Sequence, residues 1–442
     1  MKRVLRWYLK TSLLLRILVC FVVGSAIGCV IWYISSATGR PVAEALDPYI
    51  SPFGTLFVQM LKMIVIPVIF FSLVVGTASL PITKFGRVGA KTIGWYFTTS
   101  IFAAVAGIGL ALVFNPGAGA DLSAWEAYTE VSAVQGETMA TDTSVLGALS
   151  QVLFNLFQNP FESLATGNFL PVIVFSILFG LGIRVGIEAG GDPKRVARLE
   201  ALQDTLEACR DAVFVMVGWI LEYSPIGVLA LSIMNFGLYG TTIVGPYVSI
   251  TVGVLLGIAA MVFVIYPLLL WVVTRRNPLY VFSRIQEAMI TALITRSSAA
   301  TLPVTLKVAE EELHIRNELA SFSLPLGATI NMDGVCVHLP MFAVLAANMF
   351  GLPMDLGTLT TVLVTTVLVS IGTGGVPGGS MMLLFIILDT LGLAEPQVAV
   401  VVGLAIAIDA IIDMFVTMNN VTGDLVCTYA VACNEGLIEG ET

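Results

Sequence analysis

Charged residues are scarce in this 442-residue chain: Asp, Glu, Lys and Arg together account for 12% of it, and histidine occurs twice. By contrast, 57% of the residues are hydrophobic and the mean hydropathy is +0.94. A chain with so little charge cannot cover its apolar residues with a polar surface. The composition therefore excludes an ordinary soluble globular protein and indicates that lipid is the main solvent of the chain.

Signatures of catalysis and of cysteine-based metal binding are also missing. The six cysteines lack metal-ligand spacing and nearly all lie in apolar segments, so we expect them to be small core residues. The Gly-Thr-Gly-Gly run at residues 372–375 lacks the Lys-Ser/Thr ending of a phosphate loop, and no nucleophile–base–orienter set is recognisable. We expect a protein that is not an enzyme, has no organic cofactor and binds no nucleic acid.

Long apolar stretches recur along the whole chain, and several exceed the ~20 residues that a helix needs to cross the ~30 Å hydrocarbon layer. They lie at Leu13–Tyr33, Gly54–Leu80, Thr92–Val113, Leu170–Val185, Ala212–Phe236, Ile243–Val273, Phe322–Phe350, Leu359–Leu391 and Val398–Ala432. The first has no small-residue cleavage site after it, so we expect it to stay in the mature protein.

Basic residues cluster before the first span and after the second, fourth and sixth, whereas Asn115–Leu146 contains five acids and no Lys or Arg. Because Lys and Arg collect on the cytoplasmic side, this alternation predicts a cytoplasmic amino terminus and about eight crossings. We expect the acidic segment to be a solvated external loop.

The carboxy-terminal half differs because polar residues interrupt its apolar segments. The interruptions are Thr295–Pro303, Gly327–Gly334 and Ser370–Ser380, together with a polar stripe in the last span. The first and third have short apolar arms on either side, which predicts two re-entrant hairpins, and the hairpin–helix order then repeats. Broken helices within a bilayer are the best sequence indication of a transport site.

The polar stripe of the last span consists of Asp409, Asp413, Thr417, Asn420 and Asp424. Their spacing places all of them on one helical face. A carboxylate at the centre of a bilayer costs roughly 2.5–3.5 kcal/mol on the insertion scale, so three of them indicate function rather than packing. Arg296 is the only Arg or Lys deep in this half of the chain.

At these motifs the chain resembles the dicarboxylate/amino acid:cation symporter family, which includes the glutamate transporters and their prokaryotic relatives. The Ser-rich tip, the Asn-Met-Asp-Gly break, the Gly-Thr-Gly-Gly-Val-Pro-Gly tip and the Asn-Val-Thr-Gly-Asp ending occur in family order and spacing. The resemblance covers nearly the whole chain. It implies an all-α polytopic membrane protein of eight transmembrane helices plus two re-entrant helical hairpins, working as an elevator.

The resemblance also implies a homotrimer in the cell (inner) membrane of a prokaryote and a division of the chain. Residues 1–240 would be mainly a scaffold of trimerisation helices, although the third span, about 92–114, belongs to the transport unit. Residues 241–435 would form the transport core, with the first hairpin at about 280–312 and the second at about 357–390. Residues 436–442 would be a tail.

By the same resemblance, two or three co-transported sodium ions would be held by side chains and unwound backbone carbonyls. Oxygen ligands of this kind suit hard cations. The residues implied are Tyr96, Thr99, Ser100, Gly327, Thr329, Asn331, Met332, Asp333, Ser370, Ile371, Thr373, Asn420 and Asp424.

The resemblance implies a substrate site with hairpin amides and Asn420 for an α-carboxylate and Asp413 for an α-ammonium. Its residues would be Arg296, Ser297, Ser298, Val335, Val376, Gly379, Asp413, Val416, Thr417 and Asn420. Members with acidic substrates carry an arginine at the position of Val416 and usually a threonine at that of Val335. Because an unpaired side-chain carboxylate there would cost several kcal/mol, we expect a neutral amino acid, small or moderately apolar.

The alternative within this class is an acidic amino acid or C4-dicarboxylate with sodium or proton coupling, for which Arg296 would replace the arginine missing at Val416. Leu339 stands at the position where proton-coupled relatives carry an acid, so a proton carrier at that position is not expected. Met414 stands where potassium-coupled relatives carry an arginine, so counter-transport of potassium is not expected either.

A channel is the mechanistic competitor, because re-entrant hairpins also build selectivity filters. His338 is interpreted as a packing residue, and Ser380 is expected to stiffen the second tip.

Overall fold

A computed structural model describes residues 11–79, 82–118, 150, 153–154, 156–166, 168–372, 375 and 377–439. Most of the predicted acidic loop and the site residues Thr373 and Val376 lie outside these ranges. Regular structure within them is helical, apart from an isolated bridge between Ile315 and Ile438. The predicted all-α membrane fold is confirmed.

The amino-terminal half is built from long helices and one short one. They are α1 (Leu13–Thr38), α2 (Val42–Ala78), α3 (Ile82–Phe114), the short α4 (Pro160–Thr166), α5 (Phe169–Glu188) and α6 (Pro193–Tyr239). A 3₁₀ turn at Gly240–Ile243 leads from α6 into α7 (Val244–Ala260).

The carboxy-terminal half contains shorter, interrupted helices, apart from its last helix of 41 residues. A π-helical turn at Met261–Ile265 joins α7 to α8 (Tyr266–Thr274), and α9 (Pro278–Arg284), α10 (Gln286–Thr295), α11 (Ser298–Lys307) and a π turn at Val308–Glu312 follow. Next come α12 (Asn317–Ile330), α13 (Asp333–Phe350), α14 (Leu356–Ser370), α15 (Gly379–Thr390) and α16 (Glu395–Glu435). The first hairpin is α10 with α11, and the second is α14 with α15.

Six helical stretches of the described chain are long and apolar enough to cross a membrane. One of them, Pro193–Thr274, has 82 residues, which as a single helix would be about 120 Å long, several times the bilayer thickness. It contains Gly240, whose φ of +58° favours glycine, and its length allows two crossings. With α16, which is bent by 71°, the described chain has up to seven spanning stretches, and two crossings within Pro193–Thr274 would bring this number to the eight predicted from the sequence.

Small residues allow α1 and α2 to approach α6 closely. A methyl group at Gly28 would lie 2.6 Å from the Ile233 carbonyl oxygen, and one at Gly227 would lie 2.5 Å from Phe57 Cβ. In a bilayer, lipid already surrounds the apolar helix surfaces, so the hydrophobic effect does not drive helices together. Close packing of their backbones stabilises the association instead. These three helices therefore form one tightly packed body.

Helix α3 packs instead against the carboxy-terminal half. A methyl group at Gly107 would lie 2.7 Å from the Val337 carbonyl oxygen of α13, and α13 also packs against α16. The hydroxyl-bearing segment of α3 therefore lies beside the helix break and the polar stripe.

The end of the chain is bound to the segment that follows the first hairpin. The Arg316 amide donates to the Leu437 carbonyl at 3.0 Å, and the Glu439 amide donates to the His314 carbonyl at 2.7 Å. Lys91 of α3 forms an ion pair with Glu435 at the end of α16. The end of α16 is thus anchored to two neighbours.

Candidate functional site

The chain leaves the helical conformation between α12 and α13. Asn331 has φ −101° and ψ 87°, and Met332 has φ −116° and ψ 54°. Both residues are buried, as is Asp333 at the start of α13. The break therefore presents a side-chain amide, a thioether and a carboxylate, together with freed backbone groups, to the interior of the protein.

The tips of the two hairpins meet at this break. Ser297 Oγ donates to the Gly375 carbonyl at 2.6 Å, and the Ala299 amide donates to the same oxygen at 3.1 Å. A methyl group at Gly375 would lie 2.5 Å from the Ala328 carbonyl oxygen of α12. Glycine is therefore required at 375, because only glycine lets the second tip approach this closely.

Arg296, at the first tip, has a left-handed backbone with φ +56°. Such a conformation is uncommon for a residue other than glycine and often marks a functional site. It allows α10 to end at Thr295 and α11 to begin at Ser298, with Ser297 Oγ accepting from the Ala300 amide at 3.1 Å. The turn points the guanidinium of Arg296 toward α16.

A first group of oxygen atoms surrounds Asp424. Asn331 Nδ2 donates to Asp424 Oδ1 at 2.9 Å, and the hydroxyl of Tyr96 donates to the Ser323 carbonyl at 2.9 Å. A methyl group at Gly327 would lie 2.6 Å from the Tyr96 hydroxyl and would also contact Asp424 Oδ1. The predicted residues Tyr96, Gly327, Asn331 and Asp424 therefore lie together, and we call them the Asp424 group.

A second group surrounds Asp333. Ser100 Oγ donates to Asp333 Oδ1 at 2.8 Å, and Thr99 Oγ1 lies 3.5 Å from Asn331 Oδ1. The hydroxyl of Tyr266 donates to Asp333 Oδ2 at 2.8 Å. Tyr266 was not among the residues predicted from sequence, although it follows the π-helical turn directly, and such turns are frequent at functional sites. These residues form the Asp333 group.

Thr329 and Ser370, which also belong to the predicted ion residues, use their hydroxyls within their own helices. Thr329 Oγ1 donates to the Pro325 carbonyl at 2.8 Å, and Ser370 Oγ donates to the Val367 carbonyl at 2.8 Å. What these two residues can offer an ion is therefore their backbone carbonyls. Ile371 directly follows Ser370, and Thr373 lies outside the described residues.

A small pocket lies between the hairpin tips, the break and α16. It is lined by Arg296, Ser298, Met332, Val335, Gly375, Ser380, Asp413, Val416, Thr417 and Asn420. Seven of the predicted substrate residues are in this lining, and Met332 was predicted as an ion neighbour. Gly375 and Ser380 are additions, whereas Ser297 is used at the tip contact and Gly379 precedes the lining residue Ser380.

Asn420 has its amide fixed by two partners at the floor of the pocket. Its Oδ1 accepts from the Gly334 amide at 2.7 Å, and its Nδ2 lies 3.1 Å from Met332 Sδ. Because sulfur is a weak acceptor, this Nδ2 can turn to a stronger one at little cost. A carboxylate placed in the pocket would be such an acceptor.

The charges of the pocket are concentrated at its Arg296 end. Arg296 Nε and Nη2 lie 3.0 Å and 2.9 Å from Asp413 Oδ2, and Nη2 lies 3.8 Å from Asp409 Oδ2. The Gly378 amide also donates to Asp413 Oδ2, at 3.3 Å. The apolar part of the lining includes Val335 and Val416, each 1% exposed.

Carboxylates outnumber basic groups among the described side chains of this region. Asp333, Asp409, Asp413 and Asp424 are all buried, and Arg296 is the basic residue paired with any of them. Buried negative charge without a partner is costly, and bound cations are the usual compensation. The arrangement can therefore hold small cations together with a solute that carries an ammonium group.

Comparison with known proteins gives consistent matches over most of the chain. The sequence model of the sodium:dicarboxylate symporter family matches residues 13–433. The chain is 31% identical to excitatory amino acid transporter 1 of Ambystoma tigrinum, over 85% of this chain and 75% of that protein. It is 30% identical to the proton/glutamate-aspartate symporter of Escherichia coli strain K12, over 96% and 93%. It is also 30% identical to neutral amino acid transporter B(0) of Oryctolagus cuniculus, over 93% and 78%.

Proposed function

The chain belongs to the sodium:dicarboxylate symporter family, and on that premise we propose that it is a sodium-coupled symporter of a neutral amino acid. Members of this family are transporters, not enzymes. The observation that carries the substrate proposal is that Val335 and Val416 line the pocket together with Arg296 and Asp413.

The neutral substrate is supported by the distribution of polar partners. An amino acid's common part would find Asp413 for its ammonium and Ser298, hairpin amides and Asn420 for its carboxylate. A second carboxylate would face the buried side chains of Val335 and Val416, and burying it without a partner would cost several kcal/mol.

The alternative substrate, an acidic amino acid or a C4-dicarboxylate, needs a cation for its extra carboxylate. Arg296 is the pocket's candidate, but its guanidinium already contacts Asp413 at 2.9 Å. If the guanidinium moved to a carboxylate of the substrate, Asp413 would have only the substrate's ammonium as a cationic partner. Asp409 would then have no basic neighbour. Matches at 30% identity include carriers named for both acidic and neutral amino acids, so uptake must be measured with both classes of solute.

Sodium coupling is supported by the Asp424 and Asp333 groups. Each combines one buried carboxylate with hydroxyl, amide or carbonyl oxygens, which is the ligand chemistry of a hard cation. We assign one co-transported sodium ion to each group. Thr329, Ser370, Ile371 and Thr373, with Met332, are proposed to hold a third when the second hairpin closes.

We propose the family's elevator arrangement for this chain: a homotrimer in the inner membrane of a prokaryote with a cytoplasmic amino terminus. In it, α1, α2 and α6 within residues 1–240 form the scaffold, and residues 241–435 with the third span form the moving core. A methyl group at Gly372 would lie 3.4 Å from Ile69 Cγ2 of α2, and one at Gly378 would lie 3.3 Å from Leu221 Cδ2 of α6. These contacts between the second tip and the scaffold are apolar, which supports sliding.

Uptake into liposomes containing the purified protein tests the proposal. Labelled alanine, serine, a branched amino acid, aspartate and a C4-dicarboxylate are offered with an inward sodium gradient, and with choline in place of sodium. We expect accumulation of a neutral amino acid that requires sodium, and competition by unlabelled neutral amino acids but not by aspartate. Counterflow exchange of labelled substrate distinguishes a carrier from a channel.

Equal competition by aspartate would contradict the neutral substrate, and uptake unaffected by choline would contradict sodium coupling. Uptake that instead follows an imposed proton gradient would support the proton-coupled alternative. Liposomes containing Asp413→Ala protein serve as the matched control for uptake that does not pass through the pocket.

A further inference from the structure

Arg296 is hydrogen-bonded to the carboxylate of Asp413, the group proposed to pair with the ammonium of the substrate. We propose that Arg296 stands in for this ammonium while the pocket is empty, and that Asp409, positioned by Ser380, receives the guanidinium when an amino acid binds. This exchange rests on the proposed function, since it requires a solute with an ammonium group. It assigns roles to Asp409, which is not among the lining residues of the pocket, and to Ser380, which is.

The contact between Arg296 and Asp413 is a strong one. Two guanidinium nitrogens lie within 3.0 Å of the same carboxylate oxygen, and the two side chains are 11% and 5% exposed. Charge-assisted hydrogen bonds are the strong class of hydrogen bonds, and burial removes the competing water. An arriving ammonium group therefore cannot reach Asp413 without displacing Arg296 or sharing the carboxylate with it.

Asp409 is placed to receive the displaced guanidinium. Its Oδ2 lies 3.8 Å from Arg296 Nη2, against 2.9 Å for the Asp413 contact. A shift of about 0.9 Å along a long, flexible side chain would therefore turn this approach into a hydrogen bond. Asp409 lies one helical turn before Asp413 on the same face of α16, so Arg296 can change partner while its backbone stays in place.

Ser380 fixes the orientation of Asp409. Its Oγ donates to Asp409 Oδ1 at 3.3 Å, which leaves Oδ2 facing Arg296. A glycine or alanine at residue 380 could not make this bond. Ser380 belongs to α15 of the second hairpin, so the acceptor for Arg296 is correctly oriented only while that hairpin packs against α16.

Local charge pairing favours the exchange, although a zwitterion adds no net charge. With both acids ionised, Arg296 lies beside two carboxylates before binding, and one of the two has no cation of its own. An ammonium group at Asp413 pairs the second carboxylate, and each acid then has its own cation. Because unpaired buried charge is costly, Asp409 is what allows substrate and arginine to be accommodated together.

The test is a double-mutant cycle measured as binding of L-serine and of L-aspartate to the purified full-length protein in saturating sodium, by calorimetry. We expect Asp409→Asn to weaken binding about tenfold or more, the loss of one charged hydrogen bond for the displaced arginine. Combined with Arg296→Gln, the same Asp409→Asn change should have almost no effect, because no guanidinium needs an acceptor. Asp204→Asn, at an exposed position on α6, is the matched control.

A purely structural role for Asp409 predicts instead that Asp409→Asn weakens binding equally in both backgrounds, and that result would overturn the exchange. So would unchanged binding by Asp409→Asn alone. If Asp409→Asn does not fold, Ser380→Ala is used in the same cycle, with an expected loss of about threefold that disappears in the Arg296→Gln background.

The outcome also separates this inference from the proposed function. L-Alanine and a branched amino acid are measured in the same way. If the protein binds L-aspartate and none of the neutral amino acids, the neutral substrate is wrong, but the cycle measured with L-aspartate still decides the exchange. If a neutral amino acid binds and the cycle shows no coupling, the exchange alone is wrong. If none of the amino acids binds, both are wrong.

Discussion

Adding one methyl group at Gly327 is expected to weaken sodium binding while the fold is kept. The new carbon would lie 2.6 Å from the Tyr96 hydroxyl, about 0.8 Å short of the 3.4 Å at which ordinary contact begins, and it would also contact Asp424 Oδ1. Neither neighbour can move freely, because Tyr96 is bonded to Ser323 and Asp424 to Asn331. The Asp424 group must therefore open.

The size of the effect follows from the bonds at risk. Losing the 2.9 Å bond from Asn331 to Asp424 removes one hydrogen bond to a charged group, worth about 1.5–3 kcal/mol. A loss of that size in the ion-bound state corresponds to a roughly 10- to 100-fold weaker sodium affinity. A sodium ion coordinated by carbonyls near residue 327 would also be displaced by the methyl group itself.

The assay is the sodium dependence of uptake in liposomes, with Gly327→Ala compared with Gly109→Ala. Gly109 lies on α3, and a methyl group there would have no atom within 4 Å, so the control should behave as wild type or be slightly more stable. The half-saturating sodium concentration of Gly327→Ala should rise about tenfold or more. If the two variants show the same sodium dependence and the same melting temperature, the Asp424 group is not an ion site.

Further changes test the Asp333 group and the apolar part of the pocket. Tyr266→Phe removes the hydroxyl that donates to Asp333 at 2.8 Å, and we expect the half-saturating sodium concentration to rise about threefold to tenfold. Tyr49→Phe, at an exposed position, is the control, and equal sodium dependence of the two variants would contradict a role for Tyr266. Val416→Arg places a guanidinium in the apolar part, where it can pair with a side-chain carboxylate. We expect the ratio of aspartate to serine uptake to rise about tenfold or more, and an unchanged ratio would show that this wall does not select the substrate.

Much of the fold and of the site could be predicted because polar residues in lipid are expensive. The break between α12 and α13 falls at Asn331 and Met332, inside the predicted interruption Gly327–Gly334. Both hairpin tips also lie where glycine, serine and proline interrupt apolar arms. An unsatisfied polar group within a bilayer has so few solutions that its position in the sequence is informative.

What could not be predicted are the partners that arise when distant helices pack together. Tyr266 looks like an ordinary aromatic residue in an apolar span, and its bond to Asp333 depends on the placement of α8 beside α13. Sequence reasoning likewise assigned Asp413 to the substrate without showing that Arg296 contacts it first. Which of several acids pairs with a long basic side chain depends on differences in distance of about 1 Å. The amino-acid sequence alone does not contain such distances.

The shared carbonyl at Gly375 has a consequence for how the site opens. It accepts hydrogen bonds from both Ser297 Oγ and the Ala299 amide, so separating the tips strips this oxygen of two donors in a single movement. An orphaned carbonyl in an apolar medium costs several kcal/mol, unless water replaces the lost donors. Opening and wetting of the passage must therefore be one event, and a dry, half-open gate is a state that this protein should avoid.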